Sequence, residues 1–281
     1  MEVGKEIQRE YNPEHQNYER WQKARDLSDE RAKFVETIVS NEITPEGLKI
    51  LDIGAGEGNT SRLFSQKNFV ISLEPKSERI KKISKTDSLN PIIADSLYLP
   101  FNSVVFDLII LQDAIEHFDI TKQFIDKLTS LLKDKGLIYL STPNRFSIIN
   151  IISDPHWGMP FLCLFKRDQI KKYFLKYFRK NDYQRDDIAE LLSLNKLYEL
   201  FSQDYSIKFF TKFSVEYLLA GGKGLVWSKF HLRLVKLVNF LGLAKILKNI
   251  ANDKPGLINK YFTPTFYIIL KKQKIFLKLD D

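Results

Sequence analysis

The stretch LDIGAGEG, residues 51–58, places three glycines in five positions directly after a short apolar run. Glycines at the end of a strand let the backbone turn sharply and let a ligand lie against the peptide units, while the helix that follows offers its N-terminal N–H groups. A tight turn with nothing bound would also use glycine. The next apolar run, FVISLEP, argues for a ligand, because it ends in Glu74, twenty residues after Gly54. A carboxylate there can accept hydrogen bonds from both hydroxyls of a ribose, so a nucleoside is expected.

Outward from this turn the chain alternates short apolar runs with amphipathic stretches, the pattern of buried parallel strands joined by helices. Strands are expected at 48–54 (LKILDIG), 69–75 (FVISLEP), 90–95 (NPIIAD), 106–113 (FDLIILQD) and 136–144 (GLIYLSTPN). Strands apolar on both faces imply a sheet covered by helices on both sides, with ligands beyond the strands' carboxyl ends. A crossover helix is expected over 186–203, a sixth strand from 206 and a closing antiparallel strand over 262–272. The fold class is therefore α/β: a Rossmann-like, seven-stranded, mostly parallel sheet.

Spacing narrows the nucleoside. The dinucleotide fingerprint needs a third glycine where this chain has Asn59, and Asp52 would repel a pyrophosphate but suit a ligand carrying an ammonium group. At this point the sequence resembles the class I methyltransferases that use S-adenosylmethionine, over roughly residues 30–145. LDIGAGEG resembles their glycine-rich first motif, IIADSLYLPF the third-strand motif, FDLIILQDAIEHF the fourth-strand motif and LLKDKGLIYLSTPN the turn into the fifth strand. The resemblance implies that Asp52, Gly54, Ala55, Gly56 and Gly58 surround the methionine part and that Glu74 and Pro75 lie at the ribose. It further implies that Asp95, Ser96 and Leu97 meet the adenine, and that Gln112, Asp113 and His117 stand at the cofactor's edge.

A sulfonium cofactor carries its own activation, so the protein needs chiefly to align an acceptor and exclude water, and no metal is required in principle. An oxygen or nitrogen acceptor still gains from a general base. His156 is the leading candidate, with Asp154 as its orienting carboxylate and Trp157 as an aromatic wall, in the segment leaving the fifth strand; His117 is the second. A loop that merely packs on the domain is the alternative.

Three regions frame the organisation. Residues 1–45 are expected to form a helical cap, with Tyr11, His15, Tyr18, Arg20 and Trp21 near one another. Residues 46–212 and 262–281 form the cofactor-binding domain, and 213–261 an inserted lid. That insertion contains the basic, apolar helix 225–250, readable as a lid, a dimer interface or a peripheral membrane contact; its longest uncharged run is far too short to span a bilayer. Net charge is +8, spread along the chain, with no aromatic-and-basic RNA signature. The one cysteine, Cys163, excludes an internal disulfide and reads as a core residue. The polar N-terminal residues lack a secretion-type apolar segment, so the cytoplasm is the expected compartment. The expected activity is methyl transfer to a small-molecule, glycan or lipid-linked acceptor, on oxygen, nitrogen or carbon. An RNA or protein methyltransferase, or a cofactor-binding protein without catalysis, are the alternatives.

Overall fold

The computed structural model describes residues 11–101, 104–225 and 229–273. The first ten residues of the expected cap, the start of the expected basic helix at 226–228 and the tail 274–281 lie outside the described residues.

Seven strands form one sheet: β1 (Lys49–Ile53), β2 (Phe69–Glu74), β3 (Leu89–Ile93), β4 (Phe106–Gln112), β5 (Leu132–Pro143), β6 (Tyr205–Phe209) and β7 (Thr265–Lys272). Their order is β3-β2-β1-β4-β5-β7-β6. The first five pair in parallel, and β7 runs antiparallel between β5 and β6. Alternate residues of one strand enter different cores. Leu51, Ile53, Ile109 and Leu111 face one side, with Phe124 and Leu128 of α5 (Lys122–Leu131). Ile50, Leu108 and Ile110 face the other, with Phe34, Val35 and Ile38 of α2 (Ser28–Ser40). Both faces are covered, which is why the strands read as continuous apolar runs. The chain reverses its direction of travel between β1 and β4, and the crevice at that point is where a ligand binds in such sheets.

Three elements differ from the sequence expectation. β5 begins at Leu132 rather than 136, because LKDK stays extended and Leu132 pairs with Phe106 across a register shift. The crossover helix is shorter than 186–203: α8 spans Leu194–Phe201, and Ser193 caps it by accepting a hydrogen bond from Lys196 N (3.2 Å). The segment before it is tied elsewhere, with Leu192 bridged to Asn144 and Asp187 held by Lys76 at 2.8 Å. The basic helix is two helices, α10 (Lys229–Phe240) and α11 (Ala244–Ile250). Between them Gly242 adopts φ +67°, and Leu243 N donates to Val238 O (3.0 Å) while Gly242 N donates to Asn239 O (3.1 Å). That pairing terminates a helix and redirects the chain.

Cys163 is buried, as its apolar neighbours suggest. Four shorter helices complete the described frame of the site: α1 (Tyr18–Asp26), α3 (Asn59–Ser65), α4 (Ser77–Ile80) and α6 (Ile148–Ile152). A further helix, α7, runs through Arg167–Gln169, Ile170–Leu175 and Lys176–Phe178 with a π-helical centre. Helix α9 (Thr211–Leu219) follows β6 and packs Phe213 and Tyr217 on Phe34, and α12 (Leu257–Tyr261) leads into β7.

Where β5 ends, Asn144 is fully buried and joins the two central connections. Its Nδ2 donates to the carbonyls of Asn259 (3.1 Å), Lys260 (3.2 Å) and Thr263 (2.8 Å), and its Oδ1 accepts from Phe146 N (3.1 Å). Removing this amide strands buried carbonyls, each worth about 1–3 kcal/mol. Asn144→Ala is expected to lower unfolding free energy by about 2–4 kcal/mol, measured by urea denaturation; a loss under about 0.5 kcal/mol would show the junction to be held by other bonds.

Candidate active site

A cavity of about 970 Å³ opens at the carboxyl ends of β1, β2 and β4. Every residue that the sequence assigned to the cofactor lines it: Asp52, Gly54, Ala55, Gly56, Gly58, Glu74, Pro75, Asp95, Ser96, Leu97, Gln112, Asp113 and His117. His156 lines it too.

The three glycines do different things. All sit at positive φ, +74°, +57° and +78°. A Cβ on Gly54 would lie 2.7 Å from the Ala114 side chain, and one on Gly58 would lie 2.5 Å from that of Ile83, so these two let the turn pack. A Cβ on Gly56 would meet nothing within 4 Å. Gly56 is therefore the glycine whose missing side chain leaves room for a ligand.

Glu74 is buried and shapes this turn directly: Oε2 accepts from Gly56 N (3.0 Å) and Oε1 from Lys76 N (3.2 Å). Asp52, also buried, accepts from Ser61 Oγ (2.6 Å). Burial pushes the Asp52 carboxyl up to about 6, the Ser61 hydrogen bond opposes this and the charge of Glu74 adds to it. A cation placed between these two acids would lower the Asp52 carboxyl again. Asp95 is exposed to the cavity, and its Oδ1 accepts from Leu97 N (2.8 Å), which fixes the turn after β3. Gln112 accepts from Thr60 Oγ1 (2.7 Å). Asp113 has φ +49° and is locked by Arg31 at 2.5 Å and by Ser141 Oγ at 2.9 Å.

At the far side of the same cavity lie Glu116, His117 and His156. The two imidazoles meet edge to face at 5.3 Å, and His156 Nε2 stands 3.9 Å from Glu116 Oε1. His117 Nδ1 lies 2.8 Å from Asp187 O, which orients its ring. Glu116 Oε2 accepts from Thr142 Oγ1 (3.0 Å). Among the described residues Glu116 Oε1 and His156 Nδ1 are buried atoms without a hydrogen-bond partner. Burial, and then the Asp113 charge, push Glu116 up to about 8. Burial lowers His117 and holds His156 well below the usual imidazole range, with His117 adding to the effect on His156. All three are therefore biased toward neutrality. Their ligand atoms lie within 4.8 Å of one another, so the trio could also hold a divalent cation.

Asp154 does not fill the role expected of it. Its Oδ1 accepts from the backbone N–H of His156 and of Trp157, both at 2.8 Å, so it folds the loop and leaves the imidazole to Glu116. Burial pushes this carboxyl up to about 6. Trp157 is buried and packs on Phe174 at 5.8 Å, serving the loop's own core rather than a cavity wall.

The N-terminal segment closes one side. Helix formation begins at Tyr18, later than the sequence suggested, because Asn12 to Asn17 form turns. His15 stacks on Trp21 at 4.6 Å. Tyr11 hydroxyl donates to Glu57 and accepts from Lys82. Asn59 Nδ2 donates to Ser28 Oγ (2.6 Å), and Arg20 Nη1 donates to the carbonyls of Asp154 (3.1 Å) and Pro155 (2.9 Å). Trp21, Arg25, Ser28 and Arg31 line the cavity. Sequence reading missed Arg31, which carries no motif, and Arg185, which pairs with Asp187 at 2.8 Å. Although burial opposes it, Arg185 and Lys76 hold Asp187 well below the usual carboxylate range.

Comparison with known proteins follows the same lines. A family model described as a methyltransferase domain matches residues 18–202. The mitochondrial ubiquinone biosynthesis O-methyltransferase of Dictyostelium discoideum is 31% identical over 117 residues, 36% of this chain and 36% of its own length. The chain spans only about a third to about a half of the length of such curated relatives. Among solved structures, a plantazolicin methyltransferase in complex with a triazolic desmethylPZN analog and SAH aligns over 97% of both chains, at 15% identity and a TM-score of 0.54. An S-adenosylmethionine-dependent methyltransferase from Mesorhizobium loti aligns over 84% of this chain and 96% of its own, at 13% identity and a TM-score of 0.52. These two likenesses are of fold. With its glycine turn, its acid at the end of β2 and a family match running from α1 to the end of α8, the chain belongs to the methyltransferase-domain family.

Proposed function

We propose that the protein transfers a methyl group from S-adenosylmethionine to a small, largely apolar acceptor. The observation that carries this reading is continuity: one cavity joins the Gly56–Glu74 turn to the buried trio of Glu116, His117 and His156. Gly56 leaves the open space, Asp52 and Glu74 supply the negative charge that suits a cation, and Asp95 to Leu97 form the far wall. When bound, S-adenosylmethionine supplies a methyl group already activated by its sulfonium charge. What remains for the protein is to hold the acceptor in line, keep water out and receive the acceptor's proton.

His156 is the group we assign to the proton. Burial keeps its imidazole neutral and so free to accept the proton of an acceptor hydroxyl or amine; because burial also raises Glu116 toward its neutral form, the Glu116 carboxyl 3.9 Å away balances the resulting imidazolium only by giving up its own proton. Pro143, Ile149, Leu234, Val235 and Pro264 give the acceptor end of the cavity apolar walls. Apolar side chains of this kind in the cavity wall favour a small or lipid-like molecule over a polymer, and the curated relatives named for ubiquinone biosynthesis suggest hydroxylated aromatic compounds as the first acceptors to try.

Gly56→Val is expected to remove S-adenosylmethionine binding in calorimetry, and Glu74→Ala to weaken it by at least about tenfold, one lost charge-assisted contact being worth about 1.5–3 kcal/mol. Unchanged affinity in both variants would place the cofactor elsewhere. With a hydroxylated aromatic acceptor, His156→Ala is expected to leave cofactor affinity unchanged and to slow single-turnover transfer by about a hundredfold. The wild type is run with and without a chelator. Loss of transfer on chelation, restored by a divalent cation, would reassign Glu116, His117 and His156 to metal binding.

A further inference from the structure

Between Glu216 and Asp253 the chain carries no acidic residue and six basic ones, Lys223, Lys229, Arg233, Lys236, Lys245 and Lys248. The same stretch folds into α10 and α11, a bent pair whose described side chains include none that is fully buried. Phe240 is 87% exposed, Leu241 55%, Ile246 53% and Leu237 51%. Leu243, Leu247 and Ile250 are also exposed, so the pair presents seven exposed large apolar side chains among its lysines. A soluble monomer rarely leaves such a patch uncovered. No described helix is long and apolar enough to cross a membrane.

We infer that α10 and α11 lie in the surface of an anionic lipid membrane, with the Phe240–Leu243 bend inserted among the acyl chains and the flanking lysines on the headgroups. Charge decides the occupant. A second copy docked on this face by two-fold symmetry would bring two sets of basic residues together with no acid to offset them. An anionic bilayer accepts both the apolar side chains and the charge, which is the usual composition of an interfacial helix. The bend at Gly242 matters here, because it turns Phe240, Leu241 and Leu243 into the apex of the pair rather than one side of a long rod. Leu234 and Val235 of α10 also line the cavity, so the helix that meets the lipid is a wall of the acceptor space. A lipid-soluble acceptor could then enter from the bilayer without crossing water. This extends the methyl-transfer reading, but its test needs no turnover.

The test is co-sedimentation of the full chain with phosphatidylcholine vesicles, with and without a quarter of phosphatidylglycerol, at low and at 0.5 M salt. Binding to the anionic vesicles is expected, weakened by salt and by at least about tenfold in Lys245→Glu/Lys248→Glu. Phe240→Glu/Ile246→Glu is expected to abolish it while circular dichroism and S-adenosylmethionine binding stay as in the wild type. Absence of sedimentation with anionic vesicles, or sedimentation untouched by both double variants, overturns the inference. So does light scattering that shows a dimer dissociated by Phe240→Glu/Ile246→Glu, which would assign the face to a second copy. Loss of cofactor binding by the wild type would count against the cradle and leave the lipid result standing.

Discussion

The hydrogen bond from Gly56 N to Glu74 Oε2 is the constraint around which the site is built. It joins the turn after β1 to the end of β2, and it can form only because three residues of that turn sit at positive φ. Gly54 and Gly58 have no room for a Cβ beside Ala114 and Ile83, whereas Gly56 borders open space and is favoured there by its φ of +57°. One acid thus holds the backbone of the turn while facing the cavity it borders. Both acids are buried, and burial first, with the charge of Glu74 adding to it, raises the Asp52 carboxyl to about 6. A positive charge placed beside these two acids would lower that carboxyl again.

The remaining walls come from chain segments far apart in sequence. Arg31 reaches Asp113 from α2, Asn59 reaches Ser28 from the glycine turn, and Arg20 reaches the carbonyls at Asp154 and Pro155. The N-terminal segment is therefore a structural member of the site, bonded both to the helix that follows the glycine turn and to the loop that carries His156. Neutral histidines and a carboxyl raised to about 8 stand together at this cavity because burial disfavours their charged forms.

The sheet was legible in the sequence because both of its faces are buried, so Ile50 to Ile53 and Leu108 to Leu111 read as strand whichever core each residue enters. The residues that line the cavity were legible for a related reason: they sit at or just beyond strand ends, at positions fixed by the motif. What failed was long-range pairing. Asp154, two residues from His156, looked like its partner, yet the backbone of the loop claims that carboxylate and Glu116, forty residues away, stands by the ring. Residues 186–193 look helical by periodicity, but Asp187 is taken by Lys76 and Arg185, and Leu192 by Asn144. Gly242 in Leu-Gly-Leu was a visible break, outweighed by the apolar run on either side.

Arg20 joins α1 to the loop that carries His156, and its guanidinium fills the space over Gly158, where even a methyl group would collide with it. The two walls it links are thereby coupled in motion: neither can swing outward alone without breaking charge-assisted bonds. Any ligand that passed between these walls would have to part bonds that tie chain segments more than a hundred residues apart, so the two walls would open together.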